Sequence, residues 1–355
     1  MTIARRLRLG MVGGGRGAFI GAVHRIAARL DDQYELVAGA LSSDPQRARE
    51  SAAELHIPGD RSYSDFRVMA RQEAARADGI DVVAIVTPNH LHHPVARAFL
   101  DAGVHVICDK PMTRTVEEAE DLVDAVAASG RAFVLTHNYT GYPMVRQARE
   151  MVLAGELGAI RTLQVEYAQQ WLTEGGRPGA WRTDPARSGA GGSVGDIGTH
   201  AFNLAEFISG LSCTELAAEL TSSVTERPLD DNAHMLLRFA GGARGALWTS
   251  QVAPGNENAL RIRIYGEAGG LAWEQESPDR LLHSPFGQTS RVITRGSAAA
   301  GPAAARARRI PAGHPEGYLE AFAQLYRDAA ELIRSRSENR KANADTALLP
   351  DVHDG

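Results

Sequence analysis

The chain has 355 residues, of which 44% are hydrophobic and 23% are charged, and its formal net charge is −5. This length is sufficient for two domains with separate cores, and the weakly acidic balance excludes the basic surface that nucleic-acid binding requires. Cys108 and Cys213 are too few for a disulfide framework and are expected to be small buried hydrophobic residues.

Membrane and export signals are missing from the sequence. No apolar run has the length of a membrane span, and residues 1–8 lack the apolar segment of a signal peptide. We therefore expect a cytoplasmic protein without a membrane partner.

The N-terminal segment predicts a dinucleotide-binding unit. An apolar strand at residues 7–12 leads into a glycine cluster, followed by a helix at 22–30 and a second strand at 34–41. This order places a pyrophosphate on the backbone N–H groups at the start of the helix. The alternative is a glycine-rich turn that binds no ligand, but the flanking strand and helix favour nucleotide binding.

The glycine pattern itself is irregular. Gly13 and Gly15 fit the first two positions of G-x-G-x-x-G. Ala18 has the standard spacing for the third position, but Gly21 could be the glycine that packs the helix, which would imply a three-residue insertion. The residues expected to contact the dinucleotide in this loop are Gly13, Gly15, Arg16, Ala18, Phe19 and Ile20.

Strands and helices alternate up to about residue 138, which predicts a parallel sheet with helices on both faces. Ligands bind at the carboxyl ends of such strands. The further apolar strands expected are 82–86, 104–108 and 132–135, and the further helices are 45–55, 94–102 and 116–128.

The end of the second strand bears on the choice between NAD and NADP. An acidic residue usually binds the ribose there, but this chain has Ser42 and Ser43. These serines and Arg47 could accept a 2′-phosphate, while Asp44 could still bind the ribose of NAD. The sequence therefore predicts that both cofactors are tolerated.

Polar residues also follow the third and fourth strands. The third strand ends in Thr87-Pro88-Asn89, with histidines at 90, 92 and 93. The spacing of these histidines does not place two on one helical face, so no metal site is expected. The alternative to a ligand-binding role for this segment is a simple strand-to-helix turn with Asn89 as the cap. The fourth strand ends in Asp109-Lys110-Pro111, where Lys110 should face the ligand crevice and a cis peptide is plausible. The alternative for Lys110 is a solvent-exposed loop lysine that binds no ligand.

From residue 139 the pattern changes to a mostly antiparallel sheet with helices on one face. The expected strands are 160–169, 215–223, 232–239, 243–251, 260–266 and 269–275, and the expected helices are 143–154, 196–209 and 315–336. Residues 170–195 and 284–312 are expected to be loops. The domain boundaries expected are 1–138 for the Rossmann domain, 139–336 for the second domain and 337–355 for a C-terminal segment.

Asp196 and His200 are four residues apart and should share one helical face. Histidine can take a proton from an alcohol, and a carboxylate nearby can bind a substrate hydroxyl or orient the imidazole. The alternative is an aspartate that stabilises the helix start and an incidental histidine.

These motifs occur together and in order, and with them the chain resembles the glucose-fructose oxidoreductase / inositol dehydrogenase / MocA (Gfo/Idh/MocA) family. The resemblance covers nearly the whole chain and implies a Rossmann domain followed by a domain with a large open sheet. It implies oxidation of a secondary alcohol on a sugar or cyclitol with NAD or NADP, and assembly into homodimers or homotetramers. By this resemblance Lys110 bonds the reacting hydroxyl, His200 is the general base and Asp196 holds the substrate.

Further site residues are expected from the same resemblance or from their place after a strand. The expected cofactor contacts outside the glycine loop are Ser42, Ser43, Arg47, Thr87, Pro88, Asn89, His92, Asp109, Lys110 and Asn138. The expected substrate contacts are Lys110, Tyr139, Trp171, Trp181, Arg182, Asp196, His200 and His314. The alternative roles are a domain hinge for residues 137–139, core packing for the aromatic residues and a surface turn for His314.

The chain departs from the family pattern in three places. Asp109 stands where the family usually has glutamate, and the glycine loop carries the insertion. The chain also stops at 350–355, where the family usually continues into a closing helix, so a truncated C-terminus is expected. Two rival functions remain: a redox-assisted lyase or glycosidase that retains NAD, and a non-catalytic protein that senses a sugar or NAD.

Overall fold

A computed structural model describes residues 5–175 and 181–355 of the chain. Residues 1–4, and residues 176–180 of the expected loop at 170–195, lie outside the described part. Two compact units are present. One combines the chain up to His137 with Phe322–Gly355, and the other is Asn138–Ala321.

The first unit is built on a parallel sheet with the strand order β2-β1-β3-β4-β5. Each predicted strand is present within a residue or so of its expected bounds, and the predicted α/β fold is confirmed. The strands are β1 Leu7–Gly13, β2 Tyr34–Ala40, β3 Val82–Val86, β4 His105–Cys108 and β5 Phe133–Leu135. The helices are α1 Phe19–Leu30, α2 Pro45–Glu54, α3 Phe66–Ala75, α4 His92–Asp101 and α5 Val116–Ser129.

Helix α3 was not predicted, although its start carries a recognisable signal. Asp65 precedes the helix and its carboxylate accepts hydrogen bonds from the N–H groups of Arg67 and Val68. Only Met69, Ala70 and Glu73 of this helix are buried. Such a narrow buried face gives a weak periodic pattern.

The second unit contains an eight-stranded sheet with the order β13-β12-β11-β10-β6-β9-β8-β7. Strands β6 and β9 pair in parallel, and the other strand pairs described in this sheet are antiparallel. The strands are β6 Ile160–Ala168, β7 Cys213–Thr221, β8 Asn232–Phe239, β9 Arg244–Ser250, β10 Ala259–Gly266, β11 Gly269–Glu274, β12 Arg280–Pro285 and β13 Arg291–Thr294. The helices are α6 Pro143–Leu153, α7 Pro185–Ser188, α8 Thr199–Ser209, α9 Pro302–Ala307 and α10 Tyr318–Ser337.

One face of this second sheet carries the core of the unit. Alternate strand residues such as Leu163, Leu247 and Ile262 are buried in one cluster with Ala201 and Leu204 of α8. The opposite face is open, and Leu236 on that face is 69% exposed. The predicted alternation and the single helix-covered face are therefore correct.

The expectation of a loop at 284–312 was wrong. This range holds the end of β12, all of β13 and helix α9. Ala303, Ala304 and Ala307 of α9 are buried. Gln147 and Glu150 of α6 accept hydrogen bonds from the N–H groups of Gly301 and Ala303. Because alanine supplies the whole apolar face of α9, the composition resembled that of an unstructured segment.

The last part of the chain completes the first unit, whereas the sequence assigned residues up to 336 to the second domain. The Tyr326 hydroxyl lies 2.9 Å from Nδ1 of His24, and the carbonyl oxygen of Tyr326 accepts a 2.7 Å bond from Tyr34. The N–H of Leu135 on the edge strand β5 donates to the carbonyl of Pro350 over 2.9 Å. Helix α10 therefore divides, with its residues from Phe322 onward packed in the first unit.

None of the helices in the described ranges combines the length and the apolar character that crossing a bilayer requires.

Candidate functional site

The glycine loop closes tightly between β1 and α1. Gly13 and Gly14 have φ angles of +81° and +71°, a region in which a Cβ is strained. A Cβ on Gly21 would lie 2.4 Å from the Cα of Gly14. Helix α1 begins at Phe19 rather than at residue 22, with Ala18 as its N-terminal cap residue, so Gly21 is the glycine that lets the helix pack against the turn.

Arg16 of the glycine loop joins the loop to helix α2. The N–H of Arg16 donates to Oγ of Ser51 over 3.1 Å, and its guanidinium pairs with Glu50 and Glu54. Arg47 donates to the carbonyl oxygen of Arg16 over 2.8 Å. Of the predicted loop residues, Phe19 is 72% exposed and Ile20 is half-buried.

The segment after β2 already uses its carboxylate. Oδ1 of Asp44 accepts a 2.7 Å hydrogen bond from the N–H of Arg47 and so caps α2. Oγ of Ser42 accepts a 3.2 Å bond from the N–H of Asp44. Ser43, Asp44 and Arg47 are all exposed, so hydroxyl, carboxylate and guanidinium groups are presented at this strand end.

His92 connects the segments that follow β3 and β4. Its Nε2 lies 2.9 Å from the carbonyl oxygen of Thr87, and its Nδ1 lies 2.7 Å from that of Pro111. Burial lowers the pKa of His92. The Lys110–Pro111 peptide is cis, as the sequence suggested. In the described part of the chain, the buried Oγ1 of Thr87 has no hydrogen-bond partner, which fits a polar ligand at this strand end.

Asp109 is a buried carboxylate next to Lys110. Oδ1 accepts a 3.0 Å bond from Thr136, and Nε2 of His24 lies 3.8 Å from the same oxygen. Burial alone would raise the pKa of Asp109, but the adjacent His24 and the charge of Lys110 outweigh it and lower the pKa to about 2. Burial and the charge of Lys110 also lower the pKa of His137 to about 3. A carboxylate charge therefore accompanies Lys110 at neutral pH, and His24 is a partner that the sequence did not reveal.

In the second unit, Asp196 and His200 lie on consecutive helical segments. Asp196 belongs to a π-helical turn, Val194–Gly198, and His200 to the first turn of α8. Oδ2 of Asp196 accepts a 2.8 Å hydrogen bond from Nε2 of Gln251. His200 is buried, and its ring meets the ring of Tyr139 edge to face with centroids 4.9 Å apart.

An amide and phenol network surrounds this pair. Trp171 Nε1 donates to Oε1 of Gln169 over 2.9 Å, and Nε2 of Gln169 donates to Oδ1 of Asn258 over 2.7 Å. The hydroxyl of Tyr167 donates to the same Oδ1 over 2.8 Å and lies 2.5 Å from the hydroxyl of Tyr139. Burial raises the pKa of Tyr139, so this phenol keeps its proton at neutral pH. The members that sequence reasoning missed are Tyr167, Gln169, Gln251 and Asn258.

The remaining predicted substrate residues have different surroundings. The Arg182 guanidinium lies over the half-buried Trp181 ring at 4.5 Å. His314 is exposed, and its carbonyl oxygen accepts a hydrogen bond from Arg295. Asn138 is buried, and its Nδ2 has no hydrogen-bond partner among the residues described. Tyr142 is a core residue packed against Trp273.

The histidine run after β3 is not arranged as a metal centre. His92 faces two carbonyl oxygens, and Nε2 of His93 pairs with Asp121 of α5 over 2.8 Å, a partner that the sequence did not suggest. Within residues 5–175 and 181–355, no group of three or more His, Cys, Asp or Glu side chains could hold a metal ion.

Comparison with known families gives the class. Residues 7–139 match the oxidoreductase family with an NAD-binding Rossmann fold, and residues 145–272 match the GFO/IDH/MocA C-terminal domain. These matches span more than half of the chain, so the chain belongs to the Gfo/Idh/MocA oxidoreductase family. The resemblance inferred from the motifs is confirmed, and the first unit is an NAD-binding Rossmann domain.

Several relatives are similar along most of their length. A crystal structure of an oxidoreductase from Sinorhizobium meliloti is 55% identical, with a TM-score of 0.91 and coverage of 99% of this chain and 94% of its own. An inositol dehydrogenase homologue from Azotobacter vinelandii, complexed with NADH and myo-inositol, is 38% identical with a TM-score of 0.92 and coverage of 99% and 92%. Levoglucosan dehydrogenase from Pseudarthrobacter phenanthrenivorans is 30% identical over 78% of this chain and 76% of its own length.

Proposed function

We propose that the protein is an NAD(P)-dependent dehydrogenase that oxidises a secondary alcohol of a sugar, glycoside or cyclitol. The observation that carries this proposal is Asp196, held by Gln251 one helical turn before His200 and bordered by the amide and phenol network. Many closely spaced donors and acceptors beside a histidine suit a ligand with several hydroxyl groups. The relatives complexed with myo-inositol or named for levoglucosan support the same substrate class.

The cofactor would be held by the first unit. The residues proposed to hold it are those of the glycine loop and of the strand ends after β2, β3 and β4, together with Asn138. The tight turn at Gly13 and Gly14 and the unsatisfied Thr87 hydroxyl fit a phosphate and ribose ligand. When bound, NAD(P) accepts the hydride from the carbinol carbon.

The chain's own residues would handle the proton and the orientation of the substrate. Lys110 donates a hydrogen bond to the reacting hydroxyl, and His200 takes the proton from that hydroxyl. Asp196 accepts a hydrogen bond from a neighbouring hydroxyl and fixes which carbon is presented. Tyr139 buttresses the imidazole by edge-to-face contact.

The test is a panel of inositols, hexoses and glycosides, read at the NADH absorbance, with three single variants. Lys110→Ala and His200→Ala should each lower kcat by about a hundredfold or more, with NAD(P) binding by fluorescence nearly unchanged. The chain has two lysines, so Lys341→Ala, at an exposed position, is the matched control and should keep wild-type kinetics. Wild-type kcat in Lys110→Ala would contradict the assignment and favour a binding protein, and turnover without released NADH would favour the lyase or glycosidase.

Assembly is proposed from the open face of the second sheet. Strand residues on this face alternate between apolar and charged side chains. Leu236 of β8 lies beside the exposed ion pair between Glu215 of β7 and Arg238 of β8. Such a face needs cover in solution, which supports a homodimer or homotetramer. A cytoplasmic location stays a prediction.

A further inference from the structure

Asp230, in the segment between β7 and β8, grips the turn that leads to Asp196. Its Oδ1 accepts a 2.6 Å hydrogen bond from the N–H of Gly192. Its Oδ2 accepts a 2.6 Å bond from Oγ of Ser193 and a 2.9 Å bond from the N–H of Val194. The carbonyl oxygen of Asp230 accepts a further 2.8 Å bond from the N–H of Ser193. Four hydrogen bonds therefore join one residue to three consecutive residues of the turn.

The chemistry of the contact requires a carboxylate. The N–H groups at the beginning of a helical segment have no partner within that segment and need an acceptor from elsewhere. Asp230 presents its two carboxylate oxygens to three donors, the N–H groups of Gly192 and Val194 and the hydroxyl of Ser193. The approach is so close that a Cβ on Gly192 would lie 2.0 Å from the carbonyl oxygen of Asp230. The turn can therefore not settle elsewhere without losing these bonds.

The neighbouring Asp231 extends the same support to the other side of the network. Its carboxylate is fully buried and accepts a 2.8 Å bond from Arg227, whose Nη2 donates to the carbonyl of Leu172. The carbonyl oxygen of Asp231 accepts a 2.8 Å bond from the N–H of Gln251. Gln251 in turn donates to Asp196, so both partners of that contact are tied to the Asp230–Asp231 pair.

We propose that Asp230 is a positioning residue for the dehydrogenase reaction, acting through the Gly192–Val194 turn on Asp196 and His200. This inference rests on the proposed function of those two residues. Asp230 itself is not a substrate contact. Its carboxylate fixes where the π-helical turn begins, and thereby where the Asp196 carboxylate and the His200 imidazole stand.

The main test is Asp230→Asn, which keeps the size of the side chain but turns one acceptor oxygen into an N–H donor that faces another donor. The expected result is a loss of about tenfold to a hundredfold in kcat/KM for the alcohol, since hydrogen bonds to a charged group are lost. The KM for NAD(P) should stay unchanged. Ser193→Ala removes a single bond to Oδ2 and should change the same parameter in the same direction by less.

Two comparisons separate positioning from general damage. Asp65→Asn removes a carboxylate that caps helix α3 in the first unit, and it should leave the alcohol kinetics unchanged. Asp230→Asn placed in an Asp196→Asn background should cause little further loss, because residues that act through one another are not additive. Additive losses, or alcohol kinetics in Asp230→Asn and Ser193→Ala that match those of Asp65→Asn, would overturn the proposal.

The outcomes also distinguish this inference from the proposed function. If Asp196→Asn and His200→Ala keep full activity, the proposed function itself is wrong. If those two lose activity and Asp230→Asn does not, only the positioning role is wrong. If Asp230→Asn does not fold, as judged by circular dichroism and thermal unfolding, the kinetics of Ser193→Ala decide the question.

Discussion

Gln251 donates a hydrogen bond from its side-chain amide to the carboxylate of Asp196, with Nε2 and Oδ2 2.8 Å apart. Gln251 follows the last residue of β9, and its backbone N–H donates to the carbonyl of Asp231. Both the backbone and the side chain of Gln251 are therefore held by hydrogen bonds. The carboxylate is thereby held in one orientation before any substrate arrives. This preorganisation reduces the entropic cost of ordering the carboxylate when the substrate binds.

The first prediction follows from that contact. Gln251→Leu should raise the KM for the alcohol by about tenfold with a smaller change in kcat, because the Asp196 carboxylate loses a bond that fixes its orientation. Steady-state kinetics measure both parameters. The matched control is Gln324→Leu, which removes another 2.8 Å amide-to-carboxylate bond, to Asp328 in the first unit. An unchanged KM in Gln251→Leu would show that the contact has no part in substrate binding.

The second prediction concerns cofactor choice. The strand end presents Ser43 and Arg47 beside the exposed Asp44, which caps α2 with Oδ1 only. Both NAD and NADP should therefore support turnover. Arg47→Ala should lower kcat/KM for NADP more than for NAD, whereas Arg47→Lys should keep the charge and most of the NADP activity. A wild-type preference for NAD above about a thousandfold, roughly 4 kcal/mol, would refute tolerance of both.

The third prediction concerns the open sheet face. Leu236→Glu should lower the oligomeric state measured by light scattering at micromolar concentration, because it places a charge on a face that needs apolar cover. Val116→Glu is the control, since Val116 is also 69% exposed but begins helix α5 of the first unit. A wild-type chain that is monomeric under these conditions would contradict the proposed assembly.

The fourth prediction is acid sensitivity caused by His105. Nδ1 of His105 accepts a 2.8 Å bond from the N–H of Ala132. This bond requires that Nδ1 carry no proton, so the imidazole must be neutral. Burial, followed by the charges of Arg131 and Arg336, lowers the pKa of His105 to about 4. From pH 6.5 down to 4 the unfolded chain therefore binds the extra proton, so the contribution to stability is complete above pH 6.5 and falls with acidification.

For a single group this loss is about 1.4 kcal/mol per pH unit within that window. The urea midpoint of the first unit should fall between pH 7 and pH 5, and His105→Asn should flatten that dependence. His56→Asn is the control, because His56 is exposed and its φ of +57° is one that asparagine tolerates. Equal pH dependence in wild type and His105→Asn would remove His105 as the cause.

The sequence was sufficient for the parts of the molecule that depend on local pattern. The glycine turn, including the role of Gly21, and the strand-end position of Lys110 follow from spacing along a few residues. The amide network could not be found this way. Gln169, Gln251 and Asn258 come from the ends of β6, β9 and β10, which are neighbours only through sheet pairing.

An alanine-rich segment was the other part of the fold that the sequence pattern did not predict. Helix α9 is buried through Ala303, Ala304 and Ala307, and its capping acceptors come from α6. Neither the periodicity of a small side chain nor a partner about 150 residues away in the sequence is visible in a local pattern. The placement of Phe322–Gly355 in the first unit depends on long-range contacts of the same kind.

The discontinuous first unit has a consequence for biosynthesis. Helix α1 and strand β5 emerge from the ribosome before Tyr326 and Pro350, the residues that bond to His24 and Leu135, have been translated. The intervening segment Asn138–Ala321 takes on the order of ten to forty seconds to synthesise at typical elongation rates. During this interval the nascent Rossmann half displays an unpaired edge and uncovered apolar surface, and it reaches its final form only after translation has passed the second unit.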